Sequence, residues 1–74
     1  MSKTIYSKDH KFLIEQLKKA RIEADLNQEK AAELLGKTQS YISKIEAGQR
    51  RIDVVQLKEF AKIYKKSLDY FIKK

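Results

Sequence analysis

Cysteine and proline are absent from this chain of 74 residues, and glycine occurs only twice. Without cysteine there is no disulfide and no thiolate metal site, and the single histidine, His10, does not make a zinc cluster. A reducing cytoplasm suits that composition and is the expected location. With no proline and so little glycine there is almost nothing to serve as a linker, so one domain is expected. No apolar run approaches the roughly eighteen residues a membrane span needs, and the opening MSKTIYSK lacks the apolar core of a signal peptide. The expectation is a soluble protein without a membrane partner. Also missing are a glycine-rich phosphate loop, a cysteine nucleophile and carboxylates clustered away from helical surfaces, which argues against an enzyme. A chain this short buries roughly 60% of the surface its unfolded form exposes, leaving little room for a deep pocket. No cofactor and no small-molecule ligand are therefore expected.

What the chain has in excess is positive charge. Seventeen Lys and Arg against ten Asp and Glu give a net charge of +7 at pH 7. On so small a surface this implies attraction to a polyanion, nucleic acid first and an anionic membrane second. Residues 1–49 hold nine basic and seven acidic side chains, whereas residues 50–74 hold eight and three. Much of the excess therefore follows the central segment of the chain.

That segment, LNQEKAAELLGKTQSYISKIEAGQRRI from Leu26 to Ile52, reads as a helix, a glycine turn, a second helix and a glycine stop followed by two arginines. Its fixed points, Ala32, Gly36, Ile42 and Ile45, follow the pattern A-x3-G-x5-I-x2-I. Small Ala32 lets two helices approach closely, and Gly36 takes a positive φ cheaply just past the end of the first helix. Ile42 and Ile45 lie on one helical face. This is the layout of a helix-turn-helix DNA reader.

Around the segment, a first helix is expected from about Lys8 to Ala24, with Leu13, Leu17, Ala20 and Ala24 at helical spacing and Arg21 on the same stripe. Asn27 caps a second helix that runs to Leu35, whose buried side is expected to hold Ala31, Ala32, Leu34 and Leu35. Thr38 caps a third, ending before Gly48. Asp53 caps a fourth, with Gln56 three residues on as in a capping box. There, Val54, Leu57, Ala61 and Tyr64, or Phe60 and Ile63, face the core. Ser67 opens a last turn or helix, LDYFIKK. The expected fold is all-α and compact, with five helices. Residues 1–8 are expected to form a loose N-terminal arm, and residues 9–74 the DNA-binding domain.

If Ile42 and Ile45 turn inward, Gln39, Ser40, Ser43 and Lys44 occupy the other side of the third helix. Glutamine can pair bidentately with adenine, lysine can donate to guanine, and serine reaches either type of edge, so these four are the candidate base readers. The bland alternative is a merely solvated face. Tyr41 packs over a thymine methyl, reaches a phosphate, or is half-buried core. Gln28 begins the second helix, whose free N–H groups make a natural phosphate seat, or it simply starts that helix. Gln49, Arg50 and Arg51 follow the third helix directly and could grip the same backbone, or only solubilise the chain. Lys62, Lys65, Lys66, Lys73 and Lys74 read as solvated lysines, and His10 has no functional role. Arg21, on an apolar stripe, needs a partner because burying an unpaired charge is expensive, and Glu46 is the best candidate. The alternative is a surface arginine with no fixed partner.

These residues resemble the lambda-repressor-like, xenobiotic-response-element family of helix-turn-helix regulators over roughly Phe12 to Phe71. LNQEKAAELLG, SYISKIEAGQRR and SLDYF occur in order and at that family's separations. Lys37 stands where the family has a small apolar residue, Ala31 where leucine is common, and Ile52 where proline often starts the fourth helix. The resemblance implies base contacts from Gln39, Ser40, Ser43 and Lys44, a backbone clamp from Gln28, and an ion pair of Arg21 with Glu46. It also implies a two-fold dimer on a palindromic double-stranded DNA operator. A homodimer would bury some of the apolar surface offered by Leu68, Tyr70, Phe71 and Ile72, and ordinary core is the other use of that cluster. The expected function is a sequence-specific transcriptional regulator, a repressor or autoregulator like small phage repressors and restriction–modification controllers. An antitoxin that uses the same fold to bind a protein partner is the alternative, and a cationic membrane-surface peptide is a third.

Overall fold

The computed structural model describes residues 8–72, and its regular elements are four α-helices followed by a short 3₁₀ turn. The helices are α1 (Lys8–Glu23), α2 (Gln28–Leu35), α3 (Gln39–Glu46) and α4 (Val54–Tyr64), and the terminal turn is Leu68–Phe71. Of the expected arm, only Lys8 falls among the described residues, where it opens α1; Lys73 and Lys74 lie outside them.

Each of α2, α3 and α4 starts where a short polar side chain captures a free backbone donor. Asn27 Oδ1 accepts from the Lys30 N–H at 2.7 Å, Thr38 Oγ1 from the Tyr41 N–H at 3.2 Å, and Asp53 Oδ1 from the Gln56 N–H at 2.8 Å. The last is a full capping box, since Gln56 Oε1 accepts the Asp53 N–H in return at 2.9 Å. Ser67 precedes the terminal turn without a side-chain capping bond.

The helix ends share one device, although only two of them use glycine. After α2 and α3 the chain reverses through Gly36 (φ 70°) and Gly48 (φ 78°). A Cβ at either glycine would meet nothing within 4 Å, so glycine is favoured there by the backbone conformation and not by crowding. After α1 and α4 the same left-handed position is held by Asp25 (φ 63°) and Lys65 (φ 59°). All four ends close with the paired bonds of a Schellman motif, for example the Leu26 N–H to the Arg21 carbonyl and the Asp25 N–H to the Ile22 carbonyl. Helix α1 therefore stops at Glu23, one residue before the expected Ala24.

The core joins Leu17 and Ala20 of α1, Ala31 and Ala32 of α2, Ile42 and Ile45 of α3, and Leu57, Phe60, Ala61 and Tyr64 of α4, closed by Phe71. Helix α2 packs on α3 and α4, and α1 lies against α3, α4 and the terminal turn. Ala31 and Ala32, almost fully buried, are the small residues across which α2 meets its neighbours. Two expectations about the core need correcting. Leu34 is 55% exposed: at about 100° per residue it sits roughly 110° from the centre of the face that Ala31, Ala32 and Leu35 define. Val54 is 63% exposed because it is the first residue of α4 and lies beyond the packed turns. On the rest of α4 both expected sets turn inward, since a buried stripe takes positions i, i+3, i+4 and i+7 together.

The aromatic end of the chain is mostly core. Phe71 is buried, Leu68 and Tyr70 are half-buried against it, and Ile72 keeps half its surface in solvent. Gln16 Nε2 donates to the Tyr70 carbonyl at 3.4 Å, and Lys66 pairs with Glu23 at 2.8 Å while its ammonium sits 4.6 Å from the centre of the Tyr70 ring. Lys66 is thus a strap between α1 and the terminal turn, not the solvated lysine expected. No helix among the described residues is long and apolar enough to cross a membrane.

Candidate nucleic-acid interface

Helix α3 is pinned by its buried side. Ile42 and Ile45 are almost entirely covered by the core, which fixes what the remaining positions face. Gln39, Ser40, Ser43 and Lys44 span about 140° of the opposite circumference, and all four are exposed. Among the described residues no side-chain hydrogen bond or ion pair engages any of them. The structure thus brings the four candidate readers onto one accessible polar face with its donors and acceptors open.

The two flanks of that face are built differently. On one, Glu46 is buried at the end of α3 and accepts three hydrogen bonds: from Arg21 Nε at 2.7 Å, from Arg21 Nη2 at 3.2 Å and from Gln28 Nε2 at 3.0 Å. Arg21 Nη1 donates to the Leu26 carbonyl at 2.9 Å, so one guanidinium ties α1, the α1–α2 connection and α3 together. The side chains of Arg21 and Glu46 are only 13% and 5% exposed. Their hydrogen bonding raises the Arg21 pKa above its already high value, and the guanidinium stays charged. Tyr64, buried next to this pair, has its pKa pushed up by burial and by the Glu46 charge, and remains a neutral phenol. Gln28 is more than a bare helix start, because its amide joins the ion-pair network. Sequence spacing gave no signal for that contact, which joins residues eighteen apart.

On the other flank Tyr41 is half-buried. Its ring lies parallel to that of Phe60, with centroids 6.3 Å apart and 2° between planes, and its hydroxyl oxygen accepts from Gln56 Nε2 at 2.8 Å. Core packing therefore accounts for the ring, while its edge borders the exposed polar face of α3. The Arg50 guanidinium stands 4.9 Å from the ring centre and the Lys37 ammonium 5.4 Å. Arg50 and Arg51, though adjacent in sequence, turn to different neighbours. Arg51 lies close enough to His10, at the start of α1, that its charge adds to burial in lowering the His10 pKa. Gln49, exposed, passes its backbone N–H to the Lys44 carbonyl in the closing turn of α3.

Lys37 and Gln56, which both contact Tyr41, were not among the expected site residues. Lys37 was visible only as a departure from a small apolar residue after Gly36, and Gln56 only as a capping partner. Lys37 meets the Tyr41 ring across only four residues at the start of α3, whereas the bond from Gln56 to Tyr41 forms only once α3 and α4 are packed.

Residues 17–71 match the sequence model of a family described as helix-turn-helix. No match was found among curated proteins.

Proposed function

Since this chain belongs to the xenobiotic-response-element family of helix-turn-helix proteins and is a DNA-binding regulator of that class, we propose that it is a dimeric, sequence-specific repressor or autoregulator of transcription. In this reading α3 enters the major groove, where Gln39, Ser40, Ser43 and Lys44 read base edges. Gln28, with the amide hydrogen not given to Glu46, and Gln49, Arg50 and Arg51 hold the phosphate backbone. The observation that carries it is the exposed face of α3, four polar side chains without internal partners, on a helix whose other side is buried in the core.

The size of α3 supports a dimer. Eight residues of α3 make a helix about 12 Å long, which covers only about four base pairs. So short a word recurs far too often among the roughly 10⁶–10⁹ competing sites of a genome to name one operator. Two copies related by a two-fold axis double the word, with reading helices about 34–36 Å apart on a palindrome. Selection of bound duplexes from a random pool, followed by mass measurement of the complex, tests the proposal. The expected result is an inverted repeat carrying two chains. An unstructured pool overturns specific reading, and one chain per high-affinity site overturns the dimer.

A further inference from the structure

The Tyr41 flank of α3 carries geometry that core packing does not require. Gln56 cannot turn its amide around, because its Oε1 accepts the Asp53 N–H within the capping box. Its Nε2 therefore faces Tyr41 and donates to the hydroxyl oxygen at 2.8 Å. With the oxygen used as acceptor there, the phenolic proton is left to be donated elsewhere. Burial raises the Tyr41 pKa, so the phenol stays protonated and keeps that proton to give. Phe60, stacked parallel, fixes the plane of the ring.

Positive charge converges on the same ring. Arg50 and Lys37 both stand within the roughly 6 Å over which a cation feels an aromatic face. Lys37, Thr38, Ser40, Tyr41, Lys44 and Arg50 line one open depression, and no carboxylate is among its lining residues. The adjoining depression along α2 is different. It is lined by Glu29 and Glu33 as well as Lys30 and Lys37, and Lys30 is paired with Glu33 at 3.2 Å. Among the described residues no salt bridge engages Lys37, Lys44 or Arg50. Three like charges gathered in one depression repel one another, and a bound anion relieves that repulsion.

We propose that Lys37, Tyr41 and Arg50 form a seat for one backbone phosphodiester of duplex DNA, with Gln56 of α4 setting the direction of the Tyr41 hydrogen bond. Lys37 and Arg50 supply charge and the hydroxyl supplies a directional donor. The seat borders the reading face, so it fixes how α3 sits in the groove and carries no base preference of its own. The assignment rests on α3 being the DNA-reading helix.

The test is duplex binding across a range of salt concentrations, on a selected site and on scrambled DNA, for the unmutated chain and for Lys37→Ala, Tyr41→Phe and Lys62→Ala. Lys62, exposed on α4, is the control for loss of a lysine as such. Lys37→Ala should make the plot of log K against log salt shallower by about 0.9 for each phosphate that is no longer neutralised, equally on both DNAs. Tyr41→Phe keeps the ring and its stacking; it should leave the slope unchanged and weaken both DNAs alike by roughly tenfold, the value of one hydrogen bond to a charged group. A Lys37→Ala slope equal to that of Lys62→Ala, or wild-type affinity in Tyr41→Phe, would overturn the seat. If Gln39→Ala still changes base preference in that case, α3 reading survives it. An unmutated chain without salt-dependent duplex binding overturns both.

Discussion

On the outer face of α3, Gln39, Ser40, Ser43 and Lys44 stand exposed with no internal partner among the described residues, whereas at its inner end Glu46 is buried and accepts three hydrogen bonds. Both surfaces are polar and both belong to one helix of eight residues. The difference lies in where the partner is. A buried polar group has to be satisfied inside the protein, and Arg21 and Gln28 satisfy Glu46. An exposed polar face can leave its donors and acceptors open for a partner that arrives from outside. The inner cluster holds the angle of α3 and with it the direction in which the outer face points.

Removing the carboxylate of the inner cluster should have the strongest effect on stability. Glu46→Ala leaves the Arg21 guanidinium charged and largely covered without its counter-ion, and a loss of about 3–5 kcal/mol of stability is expected. Denaturation of Glu46→Ala, Arg21→Ala and the double variant checks it. The double variant should lose clearly less than the sum of the singles, and strictly additive losses would show that the two do not act as a pair.

Gln28 sits at the border between the buried cluster and the outer surface of α2. Its hydrogen bond to Glu46 predicts that Gln28→Ala lowers stability by about 1–2 kcal/mol in the absence of DNA, with some of the bond's worth lost to solvent. An unchanged denaturant midpoint would remove Gln28 from the structural cluster and leave it only a contact to DNA.

The smallest effect is electrostatic. Burial first and the Arg51 charge second lower the His10 pKa from 6.5, so the folded protein binds this proton less readily than the unfolded chain does. The contribution of His10 to stability is therefore whole above pH 6.5 and shrinks as the pH falls below it. Compared by chemical denaturation from about pH 7.5 to 5, the parent and His10→Gln should diverge on the acid side. A stability difference that is flat with pH would contradict the environment assigned to His10.

How much of this was legible in the sequence follows from the range of each interaction. The caps at Asn27, Thr38 and Asp53 are bonds across three residues, so the local pattern reveals them. The turns at Gly36 and Gly48 announce themselves by glycine. The turns at Asp25 and Lys65 have the same conformation but carry residues that favour it less, and nothing in the local sequence marks them. The exposed polar face of α3 was legible because burying Ile42 and Ile45 leaves the other side of the helix no choice. Leu34 and Val54 were misplaced because apolar character alone does not resolve which edge of a short helix is covered. The bonds from Gln28 to Glu46 and from Gln56 to Tyr41 cross eighteen and fifteen residues, and only the packed helices bring them together.

Base reading by the outer face of α3, aimed by the inner cluster, is the core of the proposed function. It is tested most directly by selecting duplexes from a random pool with the parent chain, Gln39→Ala and Lys44→Ala, then titrating each protein on the parent site and on scrambled DNA. Each substitution should relax preference at particular base pairs, costing about 1–3 kcal/mol of discrimination, and leave affinity for scrambled DNA nearly unchanged for Gln39→Ala. If both substitutions lower affinity for the two DNAs equally and the selected sequence stays the same, α3 is not the reading element and the account is wrong.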